Sequence, residues 1–275
     1  MIFGFIAWVF LIGIIVACLQ DLKRREVDYW LTLFLLLISF SYIFYRAIFE
    51  ENAGIVFQAG FALVVMFVFM NVFYYGRVFA GGDANLLFAM TAFFIGVDFF
   101  KTLINIGVFL LFLMVAGSFY GLFYSFILYF RNYKKVNREI RKGFREWWIR
   151  YPVFIGLLFL VFSYYNLFFL LFAGFSFVLP VLFVFTKGLE NVSMIKVISG
   201  KELREGDWLV DDIKVGKKTI KADWDGLSAE SIKLLKSRKK VKIKDGLPFV
   251  PAFLIAFALY MFFTDWLIGV LMGLT

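Results

Sequence analysis

Long apolar runs separated by short charged stretches set the pattern of this chain. The runs Ile2–Leu19, Tyr29–Tyr45, Ile55–Tyr75 and Thr102–Phe130 are each long enough, at about 1.5 Å per residue, to cross the hydrocarbon layer of a bilayer as a helix. The run Ala84–Val97 is shorter and spans only with help from Phe99 and Phe100 or in a thinned bilayer. The apolar stretch Val153–Phe185 is too long for one helix and tight for two. Its polar interruption is Tyr164-Tyr165-Asn166, and division there makes two helices. Pro248–Leu274 is the last span, opened by Pro248 and Pro251, residues that suit a first helical turn. The pattern predicts about eight transmembrane helices.

Composition sharpens that picture. With 63% hydrophobic and 22% aromatic residues, the chain has more apolar side chain than a soluble core can bury. The first run lacks a basic leading region and a small-x-small cleavage site, so it is expected to stay as a helix rather than leave as a signal peptide. The placement of Lys and Arg carries more than the net charge of +9. If the Lys23-Arg24-Arg25 loop is cytosolic, alternation across eight spans puts all but Arg46 and Lys101 of the 29 basic residues on that face. Both chain ends are then extracytosolic, and the protein is a multi-pass cell-membrane protein.

Composition turns globular in Lys187–Gly246. Strands are expected at Ile195–Ile198, Trp208–Val215 and Thr219–Ala222, then a helix from an N-cap at Ser228 through Lys239, then a strand at Val241–Lys244. The fold class is therefore an all-α polytopic membrane protein with a small α+β, mostly β, cytosolic domain inserted before the last helix. The expected division is 1–186 for the helical catalytic part, 187–247 for the soluble domain and 248–275 for the last helix. The basic loop 131–150, with Trp147 and Trp148, reads as an interfacial helix. The surplus of Lys in the late domain points to solubility and anionic membrane lipids rather than to nucleic acid.

The chain has no His, and Cys18 is its one cysteine. A metal site built on either type is excluded, and any proton chemistry falls to carboxylates. Two stand out, Asp21 in Gln20-Asp21-Leu22-Lys23-Arg24-Arg25 and Asp83 in Ala80-Gly81-Gly82-Asp83, both at cytosolic helix ends. Brought within hydrogen-bond range, two carboxylates share a proton and offer one base and one acid at the same pH, which is what peptide hydrolysis without a covalent intermediate requires. A coupled pair titrates as a unit, so neither is assigned the proton. Gly81 and Gly82 would let backbone come close to an extended substrate and take turn conformations. Each piece has a plainer account. Asp21 by itself would neutralise Lys23, Arg24 and Arg25, and Asp83 would be an N-capping residue after a glycine turn. Glu26 and Asp28 read as loop charges, Asp98 and Asp265 as interfacial ones, Asn85 as orienting Asp83 or facing a neighbouring helix, and Cys18 as a small core residue.

Gln20 to Trp30 and Ala80-Gly81-Gly82-Asp83-Ala84-Asn85-Leu86-Leu87 resemble the two catalytic segments of the archaeal prepilin and preflagellin peptidases, membrane aspartic proteases of the G-x-G-D type. Lys201 to Leu209 and Gly246 to Phe253 are similar to the C-terminal region of archaeal members. The first glycine of G-x-G-D is Ala80 here, which fits if that position has ordinary backbone angles. The resemblance implies Asp21 and Asp83 as catalytic residues, no cofactor and no metal. The four-cysteine zinc loop of bacterial relatives is absent, which speaks against their N-methyltransferase activity. It also implies pilin-like or archaellin precursors as partners, with a short basic leader cut at the cytosolic face after a Gly. A proton-coupled transporter or channel using Asp21 and Asp83 as a relay is the alternative from another class, and an inactive assembly scaffold a third.

Overall fold

The computed structural model describes residues 4–216, 218–223 and 226–271. The outermost residues expected in the first and last spans, Ile2 and Phe3 and Met272 to Leu274, lie outside them. The helices are α1 (Phe5–Arg24), α2 (Tyr29–Phe49), α3 (Gly54–Tyr75), α4 (Gly81–Ala89), α5 (Phe99–Arg131), α6 (Tyr133–Gly143), α7 (Arg150–Phe162), α8 (Phe168–Leu189), α9 (Ala229–Leu235) and α10 (Val250–Leu271). Six of them, α1, α2, α3, α5, α8 and α10, are long and apolar enough to cross a membrane. The chain forms two compact units, Met1–Leu122 with Leu247–Thr275, and Phe123–Gly246.

In the first unit, Phe10, Ile14, Leu35, Leu86, Phe109 and Phe257 are among the fully buried side chains of one continuous core. The outer faces are also apolar, as Phe57, Val64 and Phe67 on α3 show. A helix that is apolar all round suits a hydrocarbon surrounding, where lipid covers the faces that protein does not.

The span expected at Ala84–Val97 takes a different form. Helix α4 ends at Ala89 after nine residues, a 3-10 turn follows at Thr91–Phe94, and Phe99 opens α5 instead of extending the run. Such a break strands backbone groups, which is tolerated at membrane depth only where protein side chains satisfy them. Ser39 Oγ of α2 donates to the Ala89 carbonyl at 2.7 Å in the core. Asn105 Nδ2 of α5 donates to the Phe94 carbonyl, Gln58 Nε2 of α3 to the Val97 carbonyl, and the Gly96 amide donates to Thr102 Oγ1. These isolated polar residues in apolar runs are partners of the broken segment. Ser39→Ala is expected to cost about 0.5–2 kcal/mol, read as a lower unfolding midpoint in detergent, because it orphans a buried carbonyl.

In the second unit, α7 and α8 form an antiparallel hairpin. The turn falls at the Tyr164-Tyr165-Asn166 interruption, where Asn166 Oδ1 accepts the Phe168 amide at 2.9 Å. Phe159 packs on Phe169 and Phe172, and Trp148 packs edge-on to Phe183. Helix α7 has 13 residues, fewer than a crossing needs by itself.

The globular segment of this unit carries β1 (Ile195–Ile198), β2 (Trp208–Leu209), β3 (Ile213–Val215), β4 (Lys218–Ile220) and β5 (Val241–Lys244). β5 lies between β1 and β2, antiparallel to both, and β3 with β4 makes a separate hairpin. The single strand expected at Trp208–Val215 is thus two. Its first part pairs with β5 and its second turns away to pair with β4. Ser228 caps α9 as expected, its Oγ accepting the Ser231 amide at 3.3 Å. The helix stops at Leu235 rather than Lys239, because the Leu235 carbonyl takes the Arg238 amide and the Arg238 carbonyl takes the Gly200 amide. A β-carbon on Gly200 would lie 2.0 Å from the Leu235 carbonyl oxygen. Gly200→Ala is expected to destabilise this domain by about 3 kcal/mol, measured by denaturant unfolding, since backbone on both sides resists the shift.

Candidate active site

Three helix ends of the first unit meet at one place. The first is the last turn of α1. Arg25 ends the helix in the left-handed region at φ 60°, its amide bonded to the Asp21 carbonyl at 2.8 Å. Gln20 Oε1 then accepts the Asp28 amide at 3.0 Å, folding the loop back on the helix. Asp21 projects from this last turn and is only 5% exposed.

The second is the start of α10. The first amides of a helix have no partner inside it. Pro251 has no N–H, the Ala252 amide bonds the Phe249 carbonyl, and the Val250 amide donates to Asp21 Oδ2 at 2.9 Å in a buried setting. Asp21 therefore serves the N-terminus of α10, where backbone N–H groups and the helix dipole favour negative charge. Its plainer account, neutralising Lys23 to Arg25, leaves this buried contact out.

The third is the start of α4. Ala80 is its N-cap, extended at φ −71° and ψ 163°, angles that suit any residue, so alanine in place of the first glycine of G-x-G-D costs the turn nothing. Gly81 and Gly82, expected in a turn, are instead the first two helical residues, and neither has left-handed angles. Asp83 is the third helical residue rather than the cap. Its Oδ2 accepts the Ala80 amide at 3.3 Å, one arm of a capping box whose other arm alanine cannot supply. Asp83 is 8% exposed.

Packing draws the three together. A β-carbon on Gly82 would touch the side chain and amide of Val27 at 3.4 and 3.5 Å, so the start of α4 lies against the loop that follows Asp21. Phe79, buried just before Ala80, packs on Phe249 and Phe253 of the α10 entrance with ring centres 5.4 and 5.6 Å apart. Gly117 of α5 makes room for the Phe249 ring, which a β-carbon there would meet at 2.6 Å. Asp21 and Asp83 come close enough for the charge on one to act on the other.

The other acids are engaged elsewhere. Asp28 takes Arg24 at 2.6 Å and Trp30 Nε1 at 3.1 Å, and the Arg24 hydrogen bond holds its carboxyl below the usual carboxylate range. Asp98 starts α5 by accepting the Lys101 amide, and Asp265 and Glu26 are exposed. Cys18 is buried in the core. Among the described residues, no three His, Cys, Asp or Glu converge as a metal site. Sequence reasoning missed the part played by Val250 and Phe79. The proline-flanked start of the last helix was the available signal for the first, and nothing in the local pattern marked the second.

No curated protein matches the chain. Residues 8–130 match the model of the type IV leader peptidase family, a stretch that takes in most of α1, all of α2 to α4, most of α5 and both aspartates. The match covers somewhat less than half of the chain, and over that stretch the chain is similar to the type IV leader peptidase family.

Proposed function

We propose that this chain is a membrane aspartic endopeptidase that removes the short basic leader from pilin-like or archaellin precursors, with Asp21 and Asp83 as its acid pair. The observation that supports this most is the meeting of two buried, mutually interacting carboxylates at three helix ends, inside the stretch that matches a leader peptidase family. Burying acids in an apolar bundle is costly, and a cost of that kind is expected at a functional site.

In the reaction, the ionised aspartate takes a proton from water as the water oxygen attacks the scissile carbonyl carbon. The protonated aspartate hydrogen-bonds the carbonyl oxygen. The resulting tetrahedral species loses the amine as the carbon–nitrogen bond breaks, and a carboxyl proton passes to the leaving nitrogen. Gly81 leaves the start of α4 without a side chain near Asp83, room for an extended peptide backbone, while Gly82 lets the Val27 loop pack close against that start. The same six long apolar helices and the lopsided placement of Lys and Arg support a multi-pass protein with this site at the cytosolic face, where a basic leader joins its apolar helix. In this reading α4 with its 3-10 turn and α7 stand in for the fourth and sixth of eight crossings, residues 187–247 form a soluble cytosolic domain, and membrane lipid surrounds the apolar helices.

The test is a gel-shift assay with detergent-purified chain and a pilin-like precursor carrying a basic leader. Cleavage by the native chain and by neither single aspartate variant is the expected result. Cleavage by both variants overturns the assignment.

A further inference from the structure

Helix α6 presents a basic stripe whose opposite side is already occupied. Val136, Ile140 and Gly143 share one side of α6, and there Ile140 lies over Gly188 and Gly143 against Val184, both of α8. Lys134, Arg138 and Arg141 follow one another at steps of four and three residues, which places them together on the side of α6 away from α8, and Arg145, in the turn just after the helix, lines a hollow with them. All four are exposed, and among the described residues none has an ion-pair partner. Glu139, the acid within the helix, is taken by Lys142 at 2.6 Å. With Tyr133, Asn137 and the paired Lys142, the four line this surface hollow of about 500 Å³.

Like charges at these spacings repel, so the stripe gains nothing within its own helix. An anionic partner relieves the repulsion. The position of α6 says which partner is at hand. It is docked on the last turns of α8, a helix long and apolar enough to cross a membrane, and it leads into Trp147 and Tyr151, exposed aromatic residues of the kind found at bilayer interfaces. Because its apolar side is used by α8, α6 cannot bind a membrane by burying that side, as an ordinary interfacial helix does. Only the charged side is left. A basic leader of the kind proposed above would be repelled by it.

We propose that Lys134, Arg138, Arg141 and Arg145 form a binding surface for the phosphate head groups of anionic lipid in the bilayer that holds the chain, bound by charge without insertion. The inference rests on the reading of the chain as a membrane protein and not on the protease assignment.

The full chain, purified in neutral detergent, is titrated with fluorescent phosphatidylglycerol and, separately, phosphatidylcholine. Preference for phosphatidylglycerol that weakens as salt rises is expected. Each neutralisation to Gln is expected to lower the affinity about fivefold, and the four together by some hundreds-fold. A matched variant, K233Q with K236Q, K239Q and K240Q, changes the net charge equally on exposed residues of the second unit and is expected to bind as the native chain does. Where the fourfold variant does not remain monodisperse, R138Q with R141Q serves in its place. Equal binding of the two lipids, retained binding in the α6 variant, or an equal loss in the matched variant overturns the proposal. Tighter binding of a short labelled RNA than of phosphatidylglycerol overturns it in favour of nucleic acid. Leader cleavage by the α6 variant in neutral detergent is expected to be unchanged, and D83N is expected to keep lipid binding, so the two readings fail separately.

Discussion

Replacing Asp83 with Asn, or Asp21 with Asn, is expected to lower leader cleavage by a factor on the order of 10²–10⁴ or beyond detection while leaving the chain folded. Each change keeps the shape of the side chain and removes its charge. In a shared-proton pair neither partner can replace the other, because one must accept the water proton while the other holds the carbonyl oxygen. Asp83→Asn retains an oxygen for the Ala80 amide, so the start of α4 is expected to form as before. The measurement is the cleavage rate of a basic-leader precursor, set beside the elution profile and unfolding midpoint of each variant. Full activity in both variants would rule out these acids. Loss of activity with a lowered midpoint in only one would mark that residue as structural.

The second large effect is expected at a backbone group. Val250 lends no side-chain chemistry to the site, but its amide holds Asp21 Oδ2 at 2.9 Å. Val250→Pro deletes that N–H at the first helical position, where proline is favoured, so the hydrogen bond goes while the helix remains. A hydrogen bond to a charged group contributes about 1.5–3 kcal/mol, which corresponds to about 10–100-fold in rate if Asp21 loses its working orientation. Val250→Ala is the control. It removes the same buried side chain and keeps the N–H, and it is expected to cleave within a few-fold of the native rate. The readout is kcat with KM unchanged, together with displacement of the limb of the pH–rate profile that belongs to the acid pair. If the alanine and proline variants slow equally, Val250 acts by packing alone.

How much of this site could be read in advance differs residue by residue. Asp21 and Asp83 were legible because each is an acid at the end of an apolar run in a chain without His. Ser39, Gln58 and Asn105 are isolated polar residues in apolar spans, and their meaning depends on a break after α4 that hydropathy does not register. A run of apolar residues reads the same whether it continues as a helix or turns at Met90, since both forms are equally apolar. The strand expected through Trp208–Val215 failed for a related reason. Alternation describes which face a residue takes, not which neighbour its backbone pairs with.

The sequence by itself determined the long apolar helices, the break at Tyr164 to Asn166, the cap at Ser228 and the concentration of basic residues between particular spans. Each of these depends on a few consecutive side chains and on solvent, and such preferences survive in any tertiary setting. Only the tertiary structure decided that three helix ends converge, that the α10 entrance supplies an amide to Asp21, and that α6 spends its apolar side on α8. Those contacts join residues as far apart as Asp21 and Val250, and they are set by which buried faces fit one another. A local pattern cannot choose among partners that are all equally apolar.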